Sequence, residues 1–213
     1  MLRRDLKKIE KDLEVLDHAR DKLNEVSRTA TRLADWAVIQ MHRGELGKAK
    51  ESLATAKNSL RQMERLLKEN PELKHSGNVL VAYQEYAEAK LLLHIITDGE
   101  LPSMETVGTD SIPFVLGILD LVGELRRMAL NFLRKGKVME AERILRIMER
   151  AYEDVFSIDH TAIIPTFRNK MDVARKLIEI TRGEVVTEIR RLSLEEAITS
   201  FKGERKEKKN AET

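Results

Sequence analysis

Residues 78–97 read NVLVAYQEYAEAKLLLHIIT, and residues 111–134 read SIPFVLGILDLVGELRRMALNFLR. In both stretches the apolar residues recur at helical spacing, and acids interrupt the apolar stripe at Glu85, Glu88, Asp120 and Glu124. The second stretch opens on a hydroxyl residue, Ser111, with Pro113 in its first turn, which is how helices start. Two helices in succession, joined by a loop rich in Gly, Pro, Ser and Thr, predict an antiparallel hairpin.

The same punctuation organises the rest of the chain. Pro71, Pro102, Pro113 and Pro165, with Gly44, Gly77, Gly99, Gly108 and Gly136, fall where helices should start or stop. A first helix is expected from Leu2 to Arg43, with Ile9, Leu13, Leu16, Leu23, Val26, Leu33 and Trp36 on its buried stripe. Further helices are expected over 46–68, 78–97, 111–134, 138–156 and 165–182. Apolar spacing after Gly183 (Val185, Val186, Ile189, Leu192) extends the pattern, and Lys202 to Thr213 reads as a solvated tail. No internal repeat, low-complexity block or heptad run with matched flanking charges is present. The expected fold is therefore all-α: a single-domain bundle of six or seven long helices over residues 1–192, with a charged C-terminal extension over 193–213.

Composition agrees and excludes several functions. Aromatics are 4% of the 213 residues, and the apolar content is mostly Leu, Ile, Val, Ala and Met, which favours helices over β-sandwiches. The absence of cysteine removes disulfide frameworks, thiolate metal sites and cysteine nucleophiles together. The 38 basic and 36 acidic residues nearly cancel, so a nucleic-acid contact must come from a local patch. The charged N-terminus is unlike a signal peptide, and no run approaches the roughly 18 apolar residues of a membrane span. A cytoplasmic protein is the expectation. Glutamine is confined to positions 40, 62 and 84 while Glu, Lys and Arg abound, a bias that suits a thermophile.

The four acids carry the chemistry. Glu85 and Glu88 are three residues apart, and Asp120 and Glu124 four apart, so each pair shares a helix face. Glu88 lies about ten residues before the connecting loop and Asp120 about ten after it. At roughly 1.5 Å per residue both pairs would sit about 15 Å from the loop. Four carboxylates at one level repel unless a divalent cation sits among them, and oxygen-only ligands suit Mg²⁺ or Mn²⁺. In a chain that is 35% charged, such pairs are also common as solvated or salt-bridged surface groups. A di-iron bundle would need Glu-x-x-His pairs on two helices, and the single pair here, Glu72 with His75, follows Pro71 in a loop.

Other residues read less sharply. Arg20, Arg28 and Arg32, with Lys22 at the edge, fit one broad face of the first helix, either as a phosphate-binding stripe or as a solvated face beside Glu25 and Asp35. His94 assists the acids or is a packed, hydrogen-bonded histidine. Gly117 and Gly123 inside a helix point to close helix packing or to close approach of a substrate backbone. Arg205, Lys206, Lys208 and Lys209 are too interleaved with Glu204 and Glu207 to make a nucleic-acid tail.

The run Gln84-Glu85-Tyr86-Ala87-Glu88-Ala89 with His94 resembles the acid-bearing helix of the translin family, in its translin-associated factor X (Trax) branch. Asp120 to Leu125, with Arg127, Met128 and Asn131, resembles the following helix. Arg20-Asp21-Lys22 with Ser27-Arg28, and Thr181-Arg182-Gly183, resemble its two ends. The resemblance runs in order from Arg20 to Gly183. It implies an all-helical protein that assembles into hollow oligomers and binds single-stranded RNA and DNA; a homo-oligomer is the expectation for this chain. It also implies a Mg²⁺-dependent endoribonuclease with Glu85, Glu88, Asp120 and Glu124 as catalytic, metal-binding residues. Two departures stand out: a shorter loop before residue 111 than in animal factor X, and Arg126 just after Glu124. The alternatives are a non-catalytic single-stranded nucleic-acid-binding scaffold and an all-α nucleotide pyrophosphohydrolase, whose acidic spacing Asp120 and Glu124 fit poorly.

Overall fold

The structure, a computed structural model, describes the backbone of residues 2–75, 77–159 and 161–211. The side chains of residues 75, 77 and 203–211 lie outside the described residues. So do the readings that fall on them: His75 as partner of Glu72, and Arg205, Lys206, Lys208 and Lys209. The helices are α1 (Leu2–His42), α2 (Leu46–Glu69), α3 (Gly77–Thr97), α4 (Met104–Val107), α5 (Ser111–Arg134), α6 (Val138–Phe156) and α7 (Phe167–Ala211), with no strand among the described residues. Six are long and α4 is a single turn, so the all-α bundle expected from periodicity is the observed fold. No helix among the described residues is long and apolar enough to cross a membrane.

Four expectations need correction. The loop 98–110 contains α4, started by the Ser103 hydroxyl accepting from the Thr106 N–H at 3.3 Å and closed by Gly108 at φ 76°. The last long helix starts at Phe167 rather than Pro165, because Thr166 stands in the left-handed region at φ 57°. Gly183 does not interrupt it: α7 runs on to Ala211, through the stretch expected to be a tail. Arg191 ties successive turns there by pairing with Glu188 at 2.8 Å and Glu195 at 3.5 Å. The side chains over 191–202 are exposed, so this segment is solvated and helical at once.

The fourth correction concerns the buried stripe of α1. It begins at Leu23 and continues through Val26, Ala30, Ala34, Ala37 and Met41. Ile9 and Leu13 are more than half exposed, and Leu16 and Leu33 are half-buried. Trp36 faces solvent, with the Arg43 guanidinium 5.4 Å from its ring. Length explains this. With 41 residues against 24 in α2 and 21 in α3, α1 is about 25 Å longer than α2 and about 30 Å longer than α3.

The chain packs as two compact units, Met1–Leu121 with Ala162–Pro165, and Val122–Thr161 with Thr166–Thr213. In the first, α1 lies along both α2 and α3. Helix α3 is enclosed on nearly every side: Val79, Ala82, Tyr86, Ala87, Ala89, Leu91, Leu92, Leu93 and Ile95 are all buried. The start of α5 meets α3 at Gly117. A Cβ added there would lie 2.8 Å from the Ala87 Cβ and 3.0 Å from the Glu88 amide nitrogen. In the second unit α6 packs on α7, burying Ala141, Ile144, Met148, Ala174 and Ile178. Arg126 grips Glu184 through both guanidinium nitrogens, at 2.7 and 3.0 Å, and reaches Thr181 at 2.8 Å. The added charge at position 126 is thus a structural clamp.

The two glycines of α5 therefore make opposite predictions. Alanine at either site gains up to about 1 kcal/mol of helix propensity. At Gly117 the methyl must displace a backbone, at a cost of about 1–3 kcal/mol. At Gly123 it meets just Leu177, at 4.0 Å. Gly117→Ala should lower the melting temperature by several degrees and Gly123→Ala should leave it unchanged or raise it slightly. Equal shifts in a thermal melt would contradict the close contact.

Candidate metal centre and basic face

Glu85 and Glu88 stand on the most enclosed helix of the first unit, and Asp120 stands one turn beyond the Gly117 contact. Because Gly117 has no side chain, α5 comes close enough to α3 for the three acids to meet. One carboxylate oxygen from each of Glu85, Glu88 and Asp120 lies within 4.8 Å of the others. Glu88 is buried; Glu85 and Asp120 are half-buried. The Gln84 side-chain amide donates to Asp120 Oδ2 and orients it.

A fourth carboxyl comes from α1. Asp35 shares a side-chain hydrogen bond with Glu85. One flank of Asp35 remains open to solvent, yet burial of its carboxyl end pushes its pKa above the ordinary carboxylate value, and the Glu85 bond opposes that rise. Two carboxyl groups hydrogen-bonded to each other must share a proton. Three helices thus direct acids to one region.

These residues fit a hard divalent cation. All the donors are carboxylate oxygens, and an ion with bonds of about 2.1 Å holds oxygens about 3.0–4.2 Å apart, so side-chain shifts of up to about an ångström would close the set. Carboxylates crowded this closely are otherwise mutually repulsive.

The other predicted residues fall elsewhere. Glu124, one turn along α5 in the second unit, is outside the converging set and lies 3.7 Å from Arg127. His94 Nδ1 is 2.7 Å from Asp98, so it belongs to the end of α3 as a hydrogen-bonded histidine. Its partner Asp98 is held below the usual carboxylate range by that bond. Arg28 and Arg32 line a cleft of about 540 Å³ with Asp21, Asn24, Glu25 and Thr29. Both also line a smaller cleft of about 190 Å³ that reaches Asp35 and Val81. The smaller cleft joins the two arginines to Asp35. Arg20 lines a different cleft with Leu13, Leu16 and Leu73, and its guanidinium pairs with Asp17. Lys22 is exposed on α1 and lines none of these clefts.

Sequence reasoning missed Asp35 and Gln84 as parts of the centre. Asp35 carried a signal, an acid inside the otherwise apolar run Leu33 to Ile39. Gln84 carried another, a rare amide beside the acids. The buried Gln40, which accepts from Ser52 at 2.8 Å, shows that a second of the three glutamines is also a fixed internal partner.

An all-helical protein with carboxylates gathered from neighbouring helices is the class this geometry defines. The comparisons give the family. A Translin family model matches residues 2–180, and the chain belongs to that family. An uncharacterised protein of Methanocaldococcus jannaschii is 29% identical over 184 residues, covering 84% of this chain and 81% of its own. The crystal structure of AfC3PO has a TM-score of 0.79 and 31% identity, over 88% of this chain and 99% of that one. A structure of AfC3PO in complex with duplex RNA gives the same TM-score and identity. Apo-NeC3PO, at 23% identity and a TM-score of 0.77, shares the fold.

Asp35 supplies a test of the crowding. Its raised pKa means that the fold disfavours its ionised form, so the metal-free protein loses stability as pH rises through that pKa. In chelator at neutral pH, Asp35→Asn should melt at or above the wild-type temperature, and any advantage should vanish below the carboxylate range. A variant that melts well below wild type at neutral pH would show that the Asp35 charge is stabilising instead.

Proposed function

We propose that this protein is a Mg²⁺- or Mn²⁺-dependent endoribonuclease that binds single-stranded RNA and works as a homo-oligomer. The observation that carries this reading is the convergence of Glu85, Glu88 and Asp120 within 4.8 Å. Those three residues would hold the cation, and Asp35 would stand behind Glu85. Glu124 enters as a catalytic, metal-binding residue on the family resemblance alone.

When bound, the cation supplies a water of lowered pKa and positive charge for the phosphodiester oxygens. The chain's own residues do the rest. Gln84 fixes the Asp120 carboxylate through its amide. The side-chain hydrogen bond shared with Asp35 would hold Glu85 in place. Arg28 and Arg32 would take up backbone phosphates along α1 and lead the strand toward the acids. Arg20, already engaged with Asp17, and the peripheral Lys22 would add weaker, longer-range attraction. The similarity to AfC3PO, which has been solved with duplex RNA, supports RNA as the ligand. Single-stranded DNA would use the same phosphate contacts.

The rival reading, a nucleic-acid-binding scaffold without catalysis, predicts different variants. Glu88→Gln keeps the size of the side chain and removes the charge. It should abolish Mg²⁺-dependent cleavage of labelled single-stranded RNA while preserving RNA affinity and oligomer size. The wild-type melting temperature should rise with Mg²⁺, and that of Glu88→Gln should not. Replacing Arg28 and Arg32 together should weaken RNA binding and reduce the slope of log affinity against log salt by about 1.4. If Glu88→Gln cleaves like wild type, or wild type does not cleave at all, the nuclease reading fails. An unchanged salt slope would move the RNA path off α1.

A further inference from the structure

The solvent side of α1 carries a row of residues that packing does not account for. At 3.6 residues per turn, Arg28, Arg32, Trp36 and Arg43 fall within about 80° of arc, and all four are exposed. Trp36 follows Arg32 by one turn, about 6 Å along the axis. It is the only tryptophan in the 213 residues, and it stands 45% exposed. Tryptophans are highly buried on average, so its place on the outer face is unusual. The Arg43 guanidinium lies 5.4 Å from the ring centroid, which holds the indole on this face and still leaves nearly half of the residue open.

The row mixes two chemistries. Guanidiniums alone would attract any polyanion, and an exposed ring alone would suit any apolar partner. Set one turn apart on a single face, they match a ligand that carries anionic groups and flat aromatic groups side by side. An unpaired nucleic-acid strand is such a ligand, because its phosphates and bases are both free to be touched. In a duplex the bases are paired and stacked on one another, so a ring on a helix surface meets only the backbone.

We propose that Trp36 is a stacking platform for an unpaired base of the strand whose phosphates Arg28 and Arg32 take up. This rests on the RNA-binding part of the proposed function and is independent of cleavage. The base lies on the exposed indole, and Arg43 holds the ring in place and adds its charge there. Asp35, the preceding residue, shares a hydrogen bond with Glu85, so a base anchored at Trp36 keeps its strand beside the acids. Stacking also makes this stretch of α1 selective, because a single strand can use the ring and a duplex cannot.

Because the chain has one tryptophan, its fluorescence reports on this position alone. The test titrates the full chain, in chelator so that no RNA is cut, with three probes: a single-stranded oligoadenylate, an RNA duplex of the same length, and linear polyphosphate, which has the charge and no bases. Oligoadenylate should quench the tryptophan saturably, and polyphosphate should bind without quenching. The duplex should quench far less than the single strand at equal occupancy. Trp36→Leu should bind oligoadenylate about tenfold more weakly with an unchanged salt slope, since stacking releases no counterions. Its affinity for polyphosphate should match wild type, and Trp36→Phe should recover most of the loss. Oligoadenylate that binds wild type without moving the emission, or binds Trp36→Leu equally well, would overturn the stacking and leave RNA binding standing. A buried-type emission that RNA does not move would place a second copy of the chain over Trp36 and would also overturn it. Failure of wild type to bind oligoadenylate at all would remove the RNA-binding reading together with this one.

Discussion

The close approach of α5 to α3 at Gly117 is the constraint on which the candidate centre depends. At that point a methyl group would stand 2.8 Å from the Ala87 Cβ and 3.0 Å from a backbone nitrogen, so only a glycine lets the two helices approach this closely. Gln84, Ala87 and Glu88 line the contact from α3, and Asp120 follows one turn later on α5. Without that proximity the acids would belong to two separate helix faces, each able to reach water. With it they become neighbours inside the most apolar helix of the unit, where ionised carboxylates are costly without a cation or a proton. The protein carries this cost across three helices, since Asp35 adds a fourth carboxyl whose own ionisation is disfavoured. Local stability given up at one place is a common mark of a functional site.

Charge is then distributed with some economy. Of the basic residues on α1, Arg28 and Arg32 line two clefts, the smaller of which reaches Asp35, whereas Arg20 is drawn to Asp17. Arg126 is committed to Glu184 in the second unit, and Arg182 to Glu149 at 2.7 Å.

Much of this was legible in the sequence, for reasons particular to each element. Proline and glycine sat at the ends of α2, α3, α5 and α6, so their limits could be read within a residue or two. The pairing of Glu85 and Glu88 with Asp120 followed from helical spacing plus equal distance from one loop. The failures also have physical causes. Periodicity cannot say whether a neighbour exists, so Ile9, Leu13 and Trp36 were assigned to a core that α2 and α3 are too short to provide. Composition read the last residues as a tail, although Glu and Lys at helical spacing are good helix formers that need no core. Asp35 was hidden because it is 50 residues from Glu85, and one chain's spacing carries no information at that range.

The central claim is that Glu85, Glu88 and Asp120 converge because they share a divalent cation. Diffraction from crystals soaked in Mn²⁺, collected at a wavelength where manganese scatters anomalously, addresses it directly. The account predicts an anomalous peak about 2.1–2.2 Å from oxygens of those three side chains, lost in Glu88→Gln crystals. A Mn²⁺-soaked wild-type crystal with no peak among them would contradict it.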